Sequence, residues 1–156
     1  FSKAYIYRFF ESKQAIGEAI CADCLAQLFT QVREAVEQGQ DATDKLRRFA
    51  KTVTSAGVEL FFSDRKLYEI AAHASSEKWA ATQAYSERLQ RLLDDILKQG
   101  RESGEFERKT PLDETRRSIF YALLPFIDPL FLERSLDLLP DAQVEVTGLI
   151  LRSLAP

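Results

Sequence analysis

With 156 residues, 46% of them hydrophobic and 29% charged, the chain has the size of one domain and the composition of a globular one, which excludes a disordered segment, a collagen-like repeat and a disulfide-stapled miniature. Its 21 Lys and Arg against 24 Asp and Glu leave a net charge of -3, so a wholly basic nucleic-acid coat is excluded and only a local basic patch remains open. The two cysteines, Cys21 and Cys24, suit a reducing interior better than a stapled secreted domain.

The chain opens at Phe1 and holds no Met. It is therefore expected to lack upstream residues or to have lost its methionines in the sequence as written. The longest apolar run, Ile119 to Ile127, is broken by Pro125 and ended by Asp128, far short of the roughly 20 residues that span a bilayer. Neither a membrane span nor a signal peptide is expected, and the expected location is cytoplasmic.

Taken in chain order, the apolar residues recur at helical spacing almost everywhere. Ser2 can cap a short first helix on which Ile6 and Phe9 or Phe10 face inward while Lys3, Ala4, Tyr5 and Arg8 face outward. After Ser12, a second cap, Ile16, Ala19, Ile20, Leu25, Leu28, Phe29, Val32 and Val36 mark one long helix from Lys13 to Gln38. A loop from Gly39 to Thr43 follows, with Asp41 or Thr43 placed to cap the next helix, whose stripe is Leu46, Phe49, Ala50, Val53, Leu60 and Phe61. Ser63-Asp64 reads as a stop and restart, opening a short helix over about Arg65 to Ala74. From Ser76 a long pattern through Trp79, Tyr85, Leu89, Leu92, Leu93, Ile96 and Leu97 ends near Gly100 and Gly104. Thr110-Pro111 predicts a start with Pro in the first helical position and Thr as the cap. Pro125 is expected to kink that helix, or Pro129 to end it. A last helix runs from Asp141, after Pro140, to Leu154, with Val144, Thr147, Leu151 and Leu154 on one side. The fold class is all-α, with no strand pattern, repeat or low-complexity stretch.

The informative segment is Phe1 to Ile16. A short helix with small, hydroxyl and basic side chains near its start suits a major groove, and Ser12-Lys13 sets a second helix start and a cation beside the same surface. This segment resembles the recognition-helix region of the TetR family of bacterial transcriptional regulators. Ser2, Lys3, Ile6, Tyr7, Phe9, Phe10, Ser12, Lys13 and Ile16 fit the family pattern, while Phe1 replaces the usual Val and Ala4 the usual Gly. A second match is the run Ile96 to Phe106, similar to the family's I-x-x-G-x-x-x-G-E-F link. The resemblance implies that residues 1-12 are the remnant of a helix-turn-helix DNA-binding head without its first two helices, 13-38 a connecting helix, and 39-156 an effector-binding and dimerisation domain. It implies DNA-binding roles for Ser2, Lys3, Ala4, Tyr5, Tyr7 and Lys13. Tyr7 and Lys13 match backbone-contacting positions, and Tyr5 is placed to shape operator choice. The aromatic Phe9 and Phe10 read as head-domain core.

The remaining candidates are weighed against plainer roles. Cys21-Ala22-Asp23-Cys24 lies inside a helix and lacks the four ligands of a zinc site, so its thiols read as small buried side chains, with a redox sensor as the alternative. Neither a metal nor a cofactor is expected. Aromatic residues at helical spacing are core by default, but the resemblance raises a pocket reading, in which Phe61, His73, Trp79, Phe120, Tyr121 and Leu124 line a site for a small, mostly apolar effector. Asp94-Asp95 and Glu102-Glu105 read as solvated faces dense with Arg and Lys. No Ser-His-Asp arrangement, P-loop or HExxH is present, and an enzyme is not expected. The apolar last helices, with Leu123, Phe126, Ile127, Phe131, Val146, Leu149 and Ile150, are expected to form a homodimer interface. The function expected is a ligand-responsive repressor that binds palindromic operator DNA as a homodimer. The alternative is an all-α ligand-binding or protein-interaction module without DNA function.

Overall fold

Apolar side chains three and four residues apart can leave water together only on one face of a helix, and such helices must then pack on one another. The computed structural model describes residues 13-156, and these form seven α-helices and no strand. They are α1 (Lys13–Glu37), α2 (Ala42–Ser63), α3 (Arg65–Ser76), α4 (Ala80–Ser103), α5 (Leu112–Ile127), α6 (Pro129–Ser135) and α7 (Asp141–Leu154), with a 3-10 turn, Leu136–Leu138, between the last two. None of these helices is long and apolar enough to cross a membrane.

The breaks between helices follow from side chains that satisfy orphan backbone groups. Asp41 caps α2 by accepting from the Asp44 N–H at 2.7 Å. Asp64 ends α2, its N–H donating to the Leu60 carbonyl, and starts α3, its carboxylate accepting from the Leu67 N–H at 3.1 Å. Gly104 closes α4 with φ +82°, a left-handed conformation that side chains rarely adopt.

One core holds the bundle together. Phe29, Val32 and Val36 of α1 meet Leu46, Phe49, Ala50 and Val53 of α2, and Leu89, Leu93, Ile96 and Leu97 of α4 close over them. Ile119, Leu123 and Phe126 of α5 and Ile150 and Leu154 of α7 complete it. In the first half of α1 the buried stripe runs through Cys21, Cys24 and Leu25, whereas Ala19 is exposed and Ile20 is 43% exposed. Steps of four back from Phe29 reach Leu25 and Cys21, and a step of three on from Cys21 reaches Cys24, so two small thiols occupy the inward positions that Ala19 and Ile20 were expected to hold. Both cysteines are free, and burial pushes the thiol pKa of each up, that of Cys24 to about 11.

Three other expectations change. Pro111 is the cap residue of α5 and not its first helical position, and Thr110 makes no cap. Pro125 lies exposed in the last turn of α5, which continues to Ile127 and stops before Pro129, in line with the second of the two alternatives; Pro129 also opens α6, a separate helix that periodicity did not separate from its neighbours. On α7 the inward stripe is Gln143, Thr147, Ile150 and Leu154, leaving Val144 61% exposed. Gln143 and Thr147 satisfy each other inside the core, with the Gln143 amide donating to the Thr147 hydroxyl at 2.7 Å and that hydroxyl donating to the Gln143 carbonyl at 2.8 Å.

The link after α4 is built from four residues acting together. The Phe106 ring, 3% exposed, lies flat against the backbone at Gly100, where any Cβ would run into it. The Phe106 N–H donates to the Gly100 carbonyl at 3.0 Å. Gly104 turns the chain, and Glu105 then reaches the start of α2, accepting from the Thr43 N–H at 3.0 Å and the Ala42 N–H at 3.3 Å. Glu105 is therefore a remote helix cap and not part of a solvated face. Asp94 likewise pairs with Arg116 at 2.9 Å, fastening α4 to α5.

Burial works against ionisation of Glu105, but the hydrogen bonds from Ser103, Thr43 and Ala42 outweigh it and hold the carboxyl below its usual range. A depressed folded pKa contributes stability that is fully present above the unfolded value, about 4.3, and is lost as pH falls through the folded value. Glu105→Ala is expected to cost about 1 kcal/mol near neutral pH. The gap from wild type, measured by urea unfolding, should narrow as pH falls below about 4.

Candidate functional site

Where α1, α2, α4 and α5 converge, small side chains leave a space that the core does not fill. A cavity of about 110 Å³ lies there, roofed by α3 and the start of α6. Leu25 and Leu28 of α1 and Val53 and Leu60 of α2 form one apolar side, and Phe120, Leu124 and Ile127 of α5 form the other. Gly57 lets α2 approach α6 closely, since a Cβ there would stand 2.6 Å from Leu132 Cδ2. Ala71 and Ser75 keep the α3 wall shallow. For scale, an apolar cavity of about 150 Å³ accepts benzene.

The polar groups sit at the two ends. At the α5–α6 corner, the Asp128 N–H donates to the Leu124 carbonyl at 3.0 Å, its Oδ1 accepts from the Leu130 N–H at 2.9 Å, and its Oδ2 accepts from the Ser75 hydroxyl at 2.9 Å. The Tyr68 hydroxyl donates to the Pro129 carbonyl. Burial, reinforced by the carboxylates of Glu133 and Asp128, pushes the Tyr68 phenol up to about 12, so it remains a neutral donor. Two contacts thus tie α3 to the corner. On α4, Thr82 donates to the Trp79 carbonyl at 2.7 Å and Ser86 accepts from Gln90 at 3.2 Å. Tyr85 also lines the cavity, and its hydroxyl has no hydrogen-bond partner among the described residues. Burial, with Cys24 close by, raises the Tyr85 pKa well above its ordinary value and keeps it neutral.

The expected ligand residues divide. Phe120 and Leu124 line the cavity. Phe61 is buried behind it, edge-on to Tyr68 at 5.0 Å and covered by the Arg65 guanidinium at 3.4 Å. His73 and Trp79 face away, edge-to-face with each other at 5.5 Å, on a shallow groove shared with Lys13 and Gly17. Tyr121 is 68% exposed on the outer face of α5. Phe61, His73, Trp79 and Tyr121 belong to four different elements, and none of the four lines this cavity. Tyr68, Ser75 and Asp128 line the cavity without having been anticipated, whereas Tyr85 is among the middle-helix aromatics expected to be able to line one. Tyr85 stands one turn before Leu89 on the stripe that continues to Leu93, a signal the sequence carried.

The expected interface residues divide as well. Leu123, Phe126 and Ile150 are at most 6% exposed and already packed inside this chain, so they have no surface left for a partner. Ile127 lines the cavity and Val146 is half-buried against the core. Phe131 and Leu149 are exposed, at 46% and 61%. Of the expected DNA contacts, Lys13 opens α1 and is exposed, while Ser2, Lys3, Ala4, Tyr5 and Tyr7 lie outside the described residues. Among the described residues, no group of three or more His, Cys, Asp or Glu is placed to hold a metal ion.

The family model of the tetracyclin repressor-like C-terminal domain matches residues 42-146, and the chain belongs to that family. The fold is similar to that of the TetR family transcriptional regulator PfmR from Thermus thermophilus, at 23% identity and a TM-score of 0.67, covering 100% of this chain and 84% of that one. It is also similar to a protein with unknown function from Rhodococcus sp. RHA1, at 18% identity and a TM-score of 0.72, covering 99% and 79%. No curated protein matches the chain. At these identities the solved structures speak for the fold alone, and the family match places the chain among TetR-type transcriptional regulators.

Because α3 is held to the α5–α6 corner by the hydroxyls of Tyr68 and Ser75, removing both should loosen this roof more than the rest of the bundle. Tyr68→Phe with Ser75→Ala is expected to lower global stability by about 1–3 kcal/mol, at about 1 kcal/mol per bond or somewhat more to a carboxylate. Hydrogen exchange should rise first at the amides of α3.

Proposed function

We propose that the protein is a ligand-responsive transcriptional repressor. It binds palindromic operator DNA as a homodimer and is released by a small, mostly apolar effector held in the cavity described above. Residues 1-12 belong to the DNA-binding head, 13-38 form the connecting helix, and 39-156 form the effector-binding and dimerisation domain. The observation that carries this reading is that the helix leading from the head, α1, is itself a wall of the cavity through Leu25 and Leu28.

The route from cavity to head is short. Ser75 and Thr82 line the cavity on either side of the turn between α3 and α4. That turn is closed by the Trp79 N–H donating to the Ala74 carbonyl at 3.0 Å, and the Trp79 ring lies over Gly17 of α1, where a Cβ would sit 3.1 Å from it. A ligand that spreads α3 and α4 shifts Trp79 on Gly17 and tilts the start of α1. Such a shift alters DNA affinity only by the difference in ligand affinity between the two arrangements. Ser2, Lys3, Ala4, Tyr5, Tyr7 and Lys13 are the proposed DNA contacts.

The dimer is proposed to form through the outer faces of α5 and α7. These carry Tyr121, Ala122 and Pro125 on one helix and Val144 and Leu149 on the other, all exposed, with Gly148 between the last two. Small residues beside large apolar ones let paired helices approach closely while covering apolar surface. Phe131 extends the apolar surface at α6.

The test is a gel-shift titration of the gene product expressed from its native start, on DNA upstream of its own gene. Saturable binding that Tyr7→Ala with Lys13→Ala abolishes is expected. A folded dimer that binds no site there or in a genome-wide selection would overturn the repressor reading. Leu149→Glu, at a 61% exposed position, should leave the helical content intact and turn the dimer into a monomer in sedimentation. A Leu149→Glu protein that stays dimeric would remove α7 from the interface.

A further inference from the structure

The chemistry of the cavity wall narrows what it can hold. Among the described residues that line it, Asp128 is the one that carries a charge, and no Lys, Arg or His reaches it. The guanidiniums packed on this core are engaged elsewhere: Arg65 covers Phe61, Arg88 covers Phe29 at 4.2 Å, and Arg116 pairs with Asp94. An anionic ligand would enter an apolar space with no counter-ion and with a carboxylate at one end, and burying an unpaired charge is heavily penalised.

Asp128 is also an acceptor with capacity to spare. An ionised carboxylate offers about four lone-pair sites. Two are taken, by the Ser75 hydroxyl and the Leu130 N–H. At the α4 end the Tyr85 hydroxyl has no partner among the described residues, and a phenol accepts as readily as it donates. The neutral Tyr68 is already committed to Pro129. What this wall offers is one charged acceptor, Asp128, and the neutral hydroxyls of Tyr85 and Ser86, which can accept or donate, with no cation to receive an anion, in a space of about 110 Å³.

We infer that the cavity takes an apolar molecule bearing a hydrogen-bond donor, an alcohol or an amine, and rejects carboxylates and phosphates. This rests on the effector-cavity reading proposed above. The donor is received by Asp128, and Tyr85 supplies the second polar contact. The apolar remainder packs between Leu28, Val53, Phe120 and Leu124.

Four probes of one shape test it: toluene, benzyl alcohol, benzylamine and benzoate, titrated calorimetrically into the 156-residue chain. Benzyl alcohol and benzylamine should each bind at least tenfold tighter than toluene, and benzoate should bind more weakly than toluene. Asp128→Asn should cut benzylamine affinity at least tenfold, far more than it changes toluene affinity, with circular dichroism reporting whether the variant is folded. If that variant does not fold, Tyr85→Phe, which keeps the ring, should cut benzyl alcohol affinity several-fold and toluene affinity less. A benzylamine advantage that Asp128→Asn erases identifies an amine class, and equal binding of alcohol and amine identifies an alcohol class. Benzoate binding as tightly as benzylamine, or toluene binding as tightly as either donor, overturns the inference while the cavity still binds ligands. Failure of all four to bind overturns the cavity reading as well.

Discussion

Asp128 is the residue on which the candidate site depends. Through one backbone N–H and two carboxylate oxygens it ends α5, begins α6 and holds the last turn of α3 through Ser75. A single carboxylate can do this because helix starts leave amides unsatisfied and carry partial positive charge, so an acid is favoured where one helix gives way to another. Were the chain to run straight on from Ile127, α6 would not fold back across α2, and Leu132 would not close the cavity over Gly57.

The cavity is a consequence of where the large side chains are already used. Phe29, Phe49, Phe106 and Phe126 fill the main core, and Phe61 fills a separate one with Tyr68 and Leu132. Between those two packed regions lie Gly57, Ala71, Ser75 and Thr82, too small to meet across the gap. α1 runs along this gap through Leu25 and Leu28 and meets Trp79 near its start at Gly17. Packed cores transmit displacement well because they have few voids to absorb it.

Much of the fold was legible in the sequence, for local reasons. The helix from Lys13, the restarts at Asp41 and Asp64 and the glycine stop at Gly104 depend on capping and backbone freedom within a few residues. The match to a TetR-like link from Ile96 to Phe106 rested on spacing alone, and the structure supplies its reason: Gly100 admits the Phe106 ring, Gly104 turns left-handed, and Glu105 caps a helix more than 60 residues earlier. The site was less legible. Phe120 and Leu124 were anticipated on the cavity, but Trp79 and His73 point to the other side of α3, and Tyr121 to solvent.

The sequence by itself determined the all-α class, most helix boundaries and family membership, because periodicity, caps and short motifs are written in neighbouring residues. Only the tertiary structure decided which apolar residues face the core, the cavity or the outside. Leu123, Leu124 and Tyr121 are close together on one helix and end in three different surroundings, buried, cavity-lining and 68% exposed. Each residue turns the helix by about 100°. Which direction is inward is set by the helices that pack against it, and those come from distant parts of the chain.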